Sequence, residues 1–206
     1  MDTSPIVYIV DDDLSVRHAV GMLLQASGFK VETCDSAQEF LKRALVDPWG
    51  CLVLDVKMDG LSGLELQREL AAANVQLPII FITGHGNVPM SVQAMKAGAV
   101  EFLTKPFRKD ELLDAVRQAL AHDSVARTER NELANIRGRY EKLTPREKEV
   151  MALVVQGLLN KQVALKLSAS EGTIKIHRGH VMLKMQAESI TDLVRMADKL
   201  ATHNNQ

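Results

Sequence analysis

The sequence predicts a doubly wound α/β domain built on a five-stranded parallel sheet, followed by an all-α domain of four helices. Three observations carry this expectation. Short apolar runs such as Ile6-Val7-Tyr8-Ile9-Val10 and Cys51-Leu52-Val53-Leu54 show no polar alternation, as strands covered on both faces do. Such runs alternate with helix-patterned segments as far as residue 121. Beyond residue 142 the strand pattern stops and helix-start signals recur instead.

Taken in order, residues 1–4 are polar, and the first strand, residues 6–10, runs into Asp11-Asp12-Asp13. Residues 14–26 read as a helix with an apolar stripe of Val16, Ala19, Val20, Leu23 and Leu24, stopped at Gly28. A short strand over 30–34 and a helix through Ala37, Phe40 and Leu41 lead to the turn residues Asp47-Pro48. The third strand, 51–55, ends in Asp55, and Gly60 and Gly63 allow a tight turn after it without side-chain bulk. Residues 77–82 run into Thr83-Gly84-His85-Gly86, and residues 100–103 into Thr104-Lys105-Pro106. Leu112, Leu113, Val116 and Leu120 belong to the last helix of this half. The charged stretch that follows lacks Pro and Gly/Ser richness, which favours a helical connector over a loose tether, although its apolar spacing is too irregular for a coiled coil. The expected organisation is a first domain over 1–122, a largely helical linker over 123–141 and a second domain over 142–206.

Composition narrows the function classes. With 206 residues and 46% apolar content there is material for two small cores, and 4% aromatic content makes them aliphatic. Cys34 and Cys51, both in expected strands, read as core residues of a reducing compartment rather than a disulfide framework. No apolar run reaches the roughly 18 residues that span a membrane, so the expected location is the cytoplasm. Residues 1–122 carry 11 Lys or Arg against 16 Asp or Glu, whereas residues 141–206 carry 10 against 7. The two halves therefore have different electrostatic partners, although so small a basic excess is weak support for nucleic-acid binding.

The strand ends carry the chemistry. In an open parallel sheet they share one crevice, so two or three carboxylates from Asp11-Asp12-Asp13 and Asp55 are forced together and need a proton, a cation or a hard metal. Lys105 supplies one ammonium group, Thr83 a hydroxyl and Asp55 a candidate nucleophile, which is the inventory for receiving a phosphoryl group. His85, between two glycines, reads as a loop residue: magnesium takes oxygen rather than imidazole, and no Cys or His cluster accompanies it.

On these positions residues 5–122 resemble the receiver domain of bacterial two-component response regulators. The resemblance implies that Asp55 is the phosphoacceptor and that Mg2+ is held by Asp12, Asp55 and the backbone carbonyl of Lys57, with Asp11 completing the acidic pair. It further implies Thr83 and Lys105 as the catalytic hydroxyl and lysine, Thr83 and Phe102 as switch residues, and a histidine kinase as phosphodonor. The chain departs from the family at Asp59, where proline is usual.

The second half restarts at Leu143-Thr144-Pro145-Arg146-Glu147, with Thr144 as N-cap, Pro145 at the first helical position and Glu147 closing a capping box. That helix buries Val150, Met151, Val154 and Val155. Asn160 is the expected cap of a second helix facing inward through Val163, Ala164 and Leu167, and Ser170 caps a third from about residue 171 to 185. Ser189 and Asp192 start the fourth. A short helix, a turn and a longer helix carrying Lys175, His177, Arg178, His180 and Lys184 is the pattern of a helix-turn-helix. Residues 143–200 are similar to LuxR-type DNA-binding domains, and the whole chain resembles the NarL/FixJ family.

That resemblance implies groove-facing Lys175 and Ile176, base reading that leans on Lys175, Arg178 and His180, and phosphate contacts from Lys161 and Lys184. Gly179, Ser168 and Gly172 stand where relatives carry a contacting lysine, a glycine and a basic residue. The implied protein is a transcription regulator that dimerises on phosphorylation, binds promoter double-stranded DNA and activates transcription, with RNA polymerase as a further partner. Its only chemistry is self-phosphorylation from a phosphodonor and autodephosphorylation. Two rivals share the residues: an acid-phosphatase-like enzyme, which lacks a substrate-binding cap here, and a DNA-binding or protein-interaction regulator that ignores phosphorylation.

Overall fold

The computed structural model describes residues 4–43, 48–84 and 88–202, so Asp47 and His85 lie outside the described residues. The chain divides into two compact units, Met1–Ala126 and Arg127–Gln206. The first contains β1 (Ile6–Val10), α1 (Leu14–Ala26), β2 (Lys30–Cys34), α2 (Ala37–Lys42), β3 (Gly50–Asp55), α3 (Gly63–Ala72), β4 (Ile79–Thr83), α4 (Val88–Lys96) and β5 (Glu101–Thr104). A helix of 33 residues, α5 (Lys109–Glu141), begins in the first unit and ends in the second.

All strand pairs are parallel, in the order β2-β1-β3-β4-β5. Successive side chains alternate between the faces, and both faces are covered, which explains the unbroken apolar runs. Tyr8, Val10, Leu52, Leu54 and Phe81 pack on one side with Phe40, Leu66, Leu70 and Ala94 from α2, α3 and α4. Val7, Ile9, Val53, Ile80 and Ile82 pack on the other with Val20 and Leu24 of α1 and Leu112 and Val116 of α5. The strand order reverses direction between β1 and β3, the place where doubly wound sheets open a crevice.

β4 starts two residues later than the apolar run because Pro78 has no N–H to give; its carbonyl instead accepts from Leu52 N at 2.9 Å. Residue 123 also differs in setting from a surface connector. Asp123 is 1% exposed and accepts a hydrogen bond from Gly50 N at 3.0 Å. No larger residue fits at 50, since a Cβ there would lie 1.8 Å from the Ile6 carbonyl oxygen. Cys34 and Cys51 are both free and buried, and burial pushes their thiols up, to about 11 and about 12.

The second unit holds the end of α5 with α6 (Pro145–Val154), α7 (Asn160–Lys166), α8 (Glu171–Met185) and α9 (Ile190–Thr202). Ile136, Leu143, Val150, Met151, Val154, Val163, Ile174, Val181, Met185 and Leu193 form its core, while Val155 is only half-buried. Thr144 and Glu147 make the expected reciprocal capping box, and Ser170 caps α8. The expectation for Asn160 is corrected: Leu159 occupies the N-cap position, and Gln162 reaches back to accept Leu159 N at 2.8 Å. Asn160 instead accepts from Arg178 Nη1 at 3.0 Å, which ties α7 to α8.

The turn between α7 and α8 explains why glycine suits it. Ser168 has φ of 49°, a left-handed conformation that costs a side-chain-bearing residue on the order of 1 kcal/mol. Ser168→Gly is expected to stabilise the second unit by about 1 kcal/mol, read as a higher urea midpoint for the unfolding of its helices; an unchanged or lower midpoint contradicts this account of the turn.

Candidate functional site

The crevice between β1 and β3 is built by register. Val10 pairs with Leu54, which sets Asp11 beside Asp55 at the carboxyl ends, while Asp55 pairs with Ile82 and Thr83 with Thr104. Lys105 follows at once, held by its own N–H donating to the Thr83 carbonyl at 2.7 Å. Three strands thus converge on one ammonium group. Lys105 Nζ donates to Asp11 Oδ2 at 2.7 Å and to Asp55 Oδ1 at 2.8 Å.

One further oxygen on each of the three aspartates accepts from the backbone. Asp11 Oδ1 accepts Asp13 N at 2.9 Å, Asp55 Oδ2 accepts Lys57 N at 2.9 Å, and Asp12 Oδ2 accepts Asp59 N at 3.0 Å. The last bond gives Asp59 a specific consequence, because a proline there could not donate it. Asp13 does not join the cluster; its side chain accepts Ser15 N and Val16 N as the N-cap of α1. Close approach of α3 depends on Gly63, where a Cβ would lie 2.2 Å from the Asp55 carbonyl oxygen.

Burial and like charge set the electrostatics. Asp11 and Asp55 are 0% and 5% exposed, whereas Asp12 is exposed. Burial pushes the Asp55 carboxyl up; Lys105 pulls it down through a hydrogen bond and its charge, Asp11 pushes it up again, and the net direction is upward. Burial also opposes the charge on Lys105, but its two carboxylate partners outweigh that and hold it protonated. Thr83 is buried at the same edge, and half-buried Phe102 lies beside Phe81 with ring centroids 6.2 Å apart. The side-chain donors of the three aspartates are all carboxylate oxygen, with Asp12 exposed, and such a set fits a hard divalent ion such as Mg2+.

In the second unit, α8 presents Lys175, Ile176, Gly179 and His180 as exposed residues, with the Ile176 side chain 60% exposed despite being apolar. Lys161, on α7, is also exposed. Arg178 and Lys184 sit differently, for both are half-buried and engaged. Arg178 donates to Asn160, and Lys184 Nζ forms an ion pair with Glu147 Oε2 at 2.6 Å. Sequence reading could not separate these two from Lys175, because charge alone does not tell which face of a helix a residue occupies. The helical phase of buried Ile174, Val181 and Met185 does tell it: it sets Ile176 and Gly179 opposite the core, with Lys175 and His180 at the two edges of that exposed side.

Comparison with known proteins agrees with this two-part construction. Residues 7–117 match the family described as response regulator receiver domain, and residues 141–197 match bacterial regulatory proteins of the luxR family. Nodulation protein W of Bradyrhizobium diazoefficiens is 51% identical over 207 residues, covering 99% of this chain and 91% of that protein. Transcriptional regulatory protein FixJ of the same organism is 40% identical over 205 residues, covering 100% of both. Among solved structures, the response regulator StyR superposes with a TM-score of 0.88 at 45% identity, covering 96% of this chain and all of that one. A receiver unit and a luxR-type unit, matched together by full-length relatives, make this chain a member of the NarL/FixJ family of two-component response regulators.

Proposed function

We propose that this DNA-binding transcription regulator is switched by transfer of a phosphoryl group from a histidine kinase to Asp55. The observation that carries the reading is the bridging of Asp11 and Asp55 by Lys105 at the ends of three strands. An Asp55 carboxylate oxygen forms a bond to phosphorus as the N–P bond of the donor phosphohistidine breaks, and the departing imidazole keeps the electron pair and takes up a proton. Lys105, already against Asp55, pairs with the arriving phosphoryl oxygens, and the Thr83 hydroxyl donates to one of them. Asp12, Asp55 and the Lys57 carbonyl would hold Mg2+, with Asp11 beside them. The ion supplies charge neutralisation for the phosphoryl oxygens. The same groups admit water for autodephosphorylation.

The modification adds about 1.5–2 negative charges to a crevice whose three carboxylates and one ammonium group would be balanced only with Mg2+ bound. Thr83 moving toward the phosphoryl group vacates space beside Phe81, and Phe102 turns inward to fill it. That rearrangement alters the surface around α4 and β5 and promotes a homodimer. Two luxR-type domains then meet two half-sites of promoter DNA, with Lys175 and Ile176 entering the major groove and Lys161 on phosphate. His180, Arg178 and Lys184 contribute from the flank. The bound dimer activates transcription through RNA polymerase. Among the described residues no helix is long and apolar enough to cross a membrane, and the proposed compartment is the cytoplasm. Units 1–122 and 142–206, with 123–141 between them, are the proposed functional division.

Incubation with Mg2+ and acetyl phosphate is expected to add one phosphoryl group per chain in wild type and none in Asp55→Asn; equal labelling of both removes Asp55 as acceptor. The folded state disfavours the Asp55 charge, so at neutral pH without Mg2+ Asp55→Asn should raise the thermal midpoint; a lowered midpoint would mean that the Lys105 bridge outweighs burial. Lys175→Ala is expected to cost about 1–3 kcal/mol in duplex binding and to relax sequence preference, and equal affinity with equal preference removes the groove contact.

A further inference from the structure

Glu147, at the first turn of α6, is 3% exposed, and its two carboxylate oxygens face different neighbours. Oε2 accepts Thr144 N at 2.8 Å and Lys184 Nζ at 2.6 Å. Oε1 faces His180 Nδ1 at 3.5 Å. That separation suits two ligands on one tetrahedral ion with bonds of about 2.0–2.1 Å. His177, one helical turn earlier on α8, has a buried Nδ1 with no hydrogen-bond partner. An imidazole nitrogen cut off from water and left unpaired is costly and calls for a ligand. One ligand atom from each of the three residues lies within 4.8 Å of the other two. The i, i+3 spacing puts both imidazoles on one side of α8, and α6 brings the carboxylate to them.

We propose that Glu147, His177 and His180 form a binding site for a first-row divalent transition-metal ion of the Zn2+ type, clasping α8 to α6. Two imidazoles and one carboxylate are a ligand set that zinc accepts while leaving its fourth position to water. The His180 side chain is 56% exposed, which gives that water and the ion a route in. Burial pushes the Glu147 carboxyl up, but the hydrogen bonds from Lys184 and Thr144 outweigh it and hold the group at about 2, so the carboxylate is ionised throughout the neutral range. Lys184 remains on Oε2 and does not block Oε1. Ligand hardness separates this site from the acidic crevice of the first unit: imidazole suits zinc, cobalt and nickel, whereas an all-oxygen cluster suits magnesium. The ion would sit on the flank of α8, leaving Lys175 and Ile176 uncovered and adding positive charge beside the proposed groove face.

The test uses the full chain with excess Mg2+, which saturates the acidic crevice, titrated with Co2+ as a visible stand-in for Zn2+. The expected result is one equivalent of Co2+ with the ligand-field bands of four- or five-coordinate nitrogen and oxygen ligation. Zn2+ should abolish those bands by displacement and raise the thermal midpoint. His180→Asn, at an exposed position and expected to leave the circular dichroism unaltered, should lose the bands and weaken binding by at least about tenfold. Absence of a saturable band in wild type overturns the proposal, as does a His180→Asn variant that binds with the same bands and affinity.

Discussion

A single ammonium group facing two buried carboxylates constrains much of the first unit. Lys105 can reach both Asp11 and Asp55 only if the ends of β1, β3 and β5 lie at one level, and that follows from parallel pairing in the order β2-β1-β3-β4-β5. Removing Lys105 would leave two buried carboxylates uncompensated, which is costly where water is excluded. Asp12, next along the chain, is exposed and accepts Asp59 N. An acidic crevice with one cation too few is suited to accept both a hard metal and a phosphoryl group, since each relieves repulsion that the fold imposes.

Position-specific packing protects that geometry. Gly63 lets α3 start against the Asp55 carbonyl, and Gly50 lets β3 start against Ile6, where any side chain would collide with backbone. Asp123 then satisfies the Gly50 N–H from α5, so the start of β3, at the far end from Asp55, is pinned by a buried carboxylate. The two faces of the sheet are aliphatic apart from a few rings, and the Phe81–Phe102 contact lies next to Thr83 on β4. A rearrangement at Thr83 therefore has an aromatic neighbour through which to spread.

The second unit solves a different problem: keeping one face of α8 free. Ile174, Val181 and Met185 anchor the helix in the core, Arg178 binds Asn160 and Lys184 binds Glu147. These contacts occupy the flanks and leave Lys175, Ile176 and Gly179 outward. Glu147 serves several groups at once, closing the α6 capping box, pairing with Lys184 and facing His180. One buried carboxylate thereby fixes how the α6 and α8 helices meet.

Much of this was legible in the chain itself. Unbroken apolar runs ending in Asp, Thr and Lys specified a covered parallel sheet and its reactive edge, because strand periodicity and burial leave direct marks on residue choice; capping signals at Thr144 and Ser170 specified helix starts for the same local reason. Tertiary structure alone decided what depends on partners distant in sequence. Asp11, Asp12 and Asp13 look equivalent along the chain, yet one meets Lys105, one meets Asp59 N and one caps α1. Asn160 resembles a cap and is instead a partner for Arg178, while Asp123 resembles a linker residue and is buried against Gly50. A polar side chain's role is set by whichever donor or acceptor the fold brings within about 3 Å, and no local pattern records that distance.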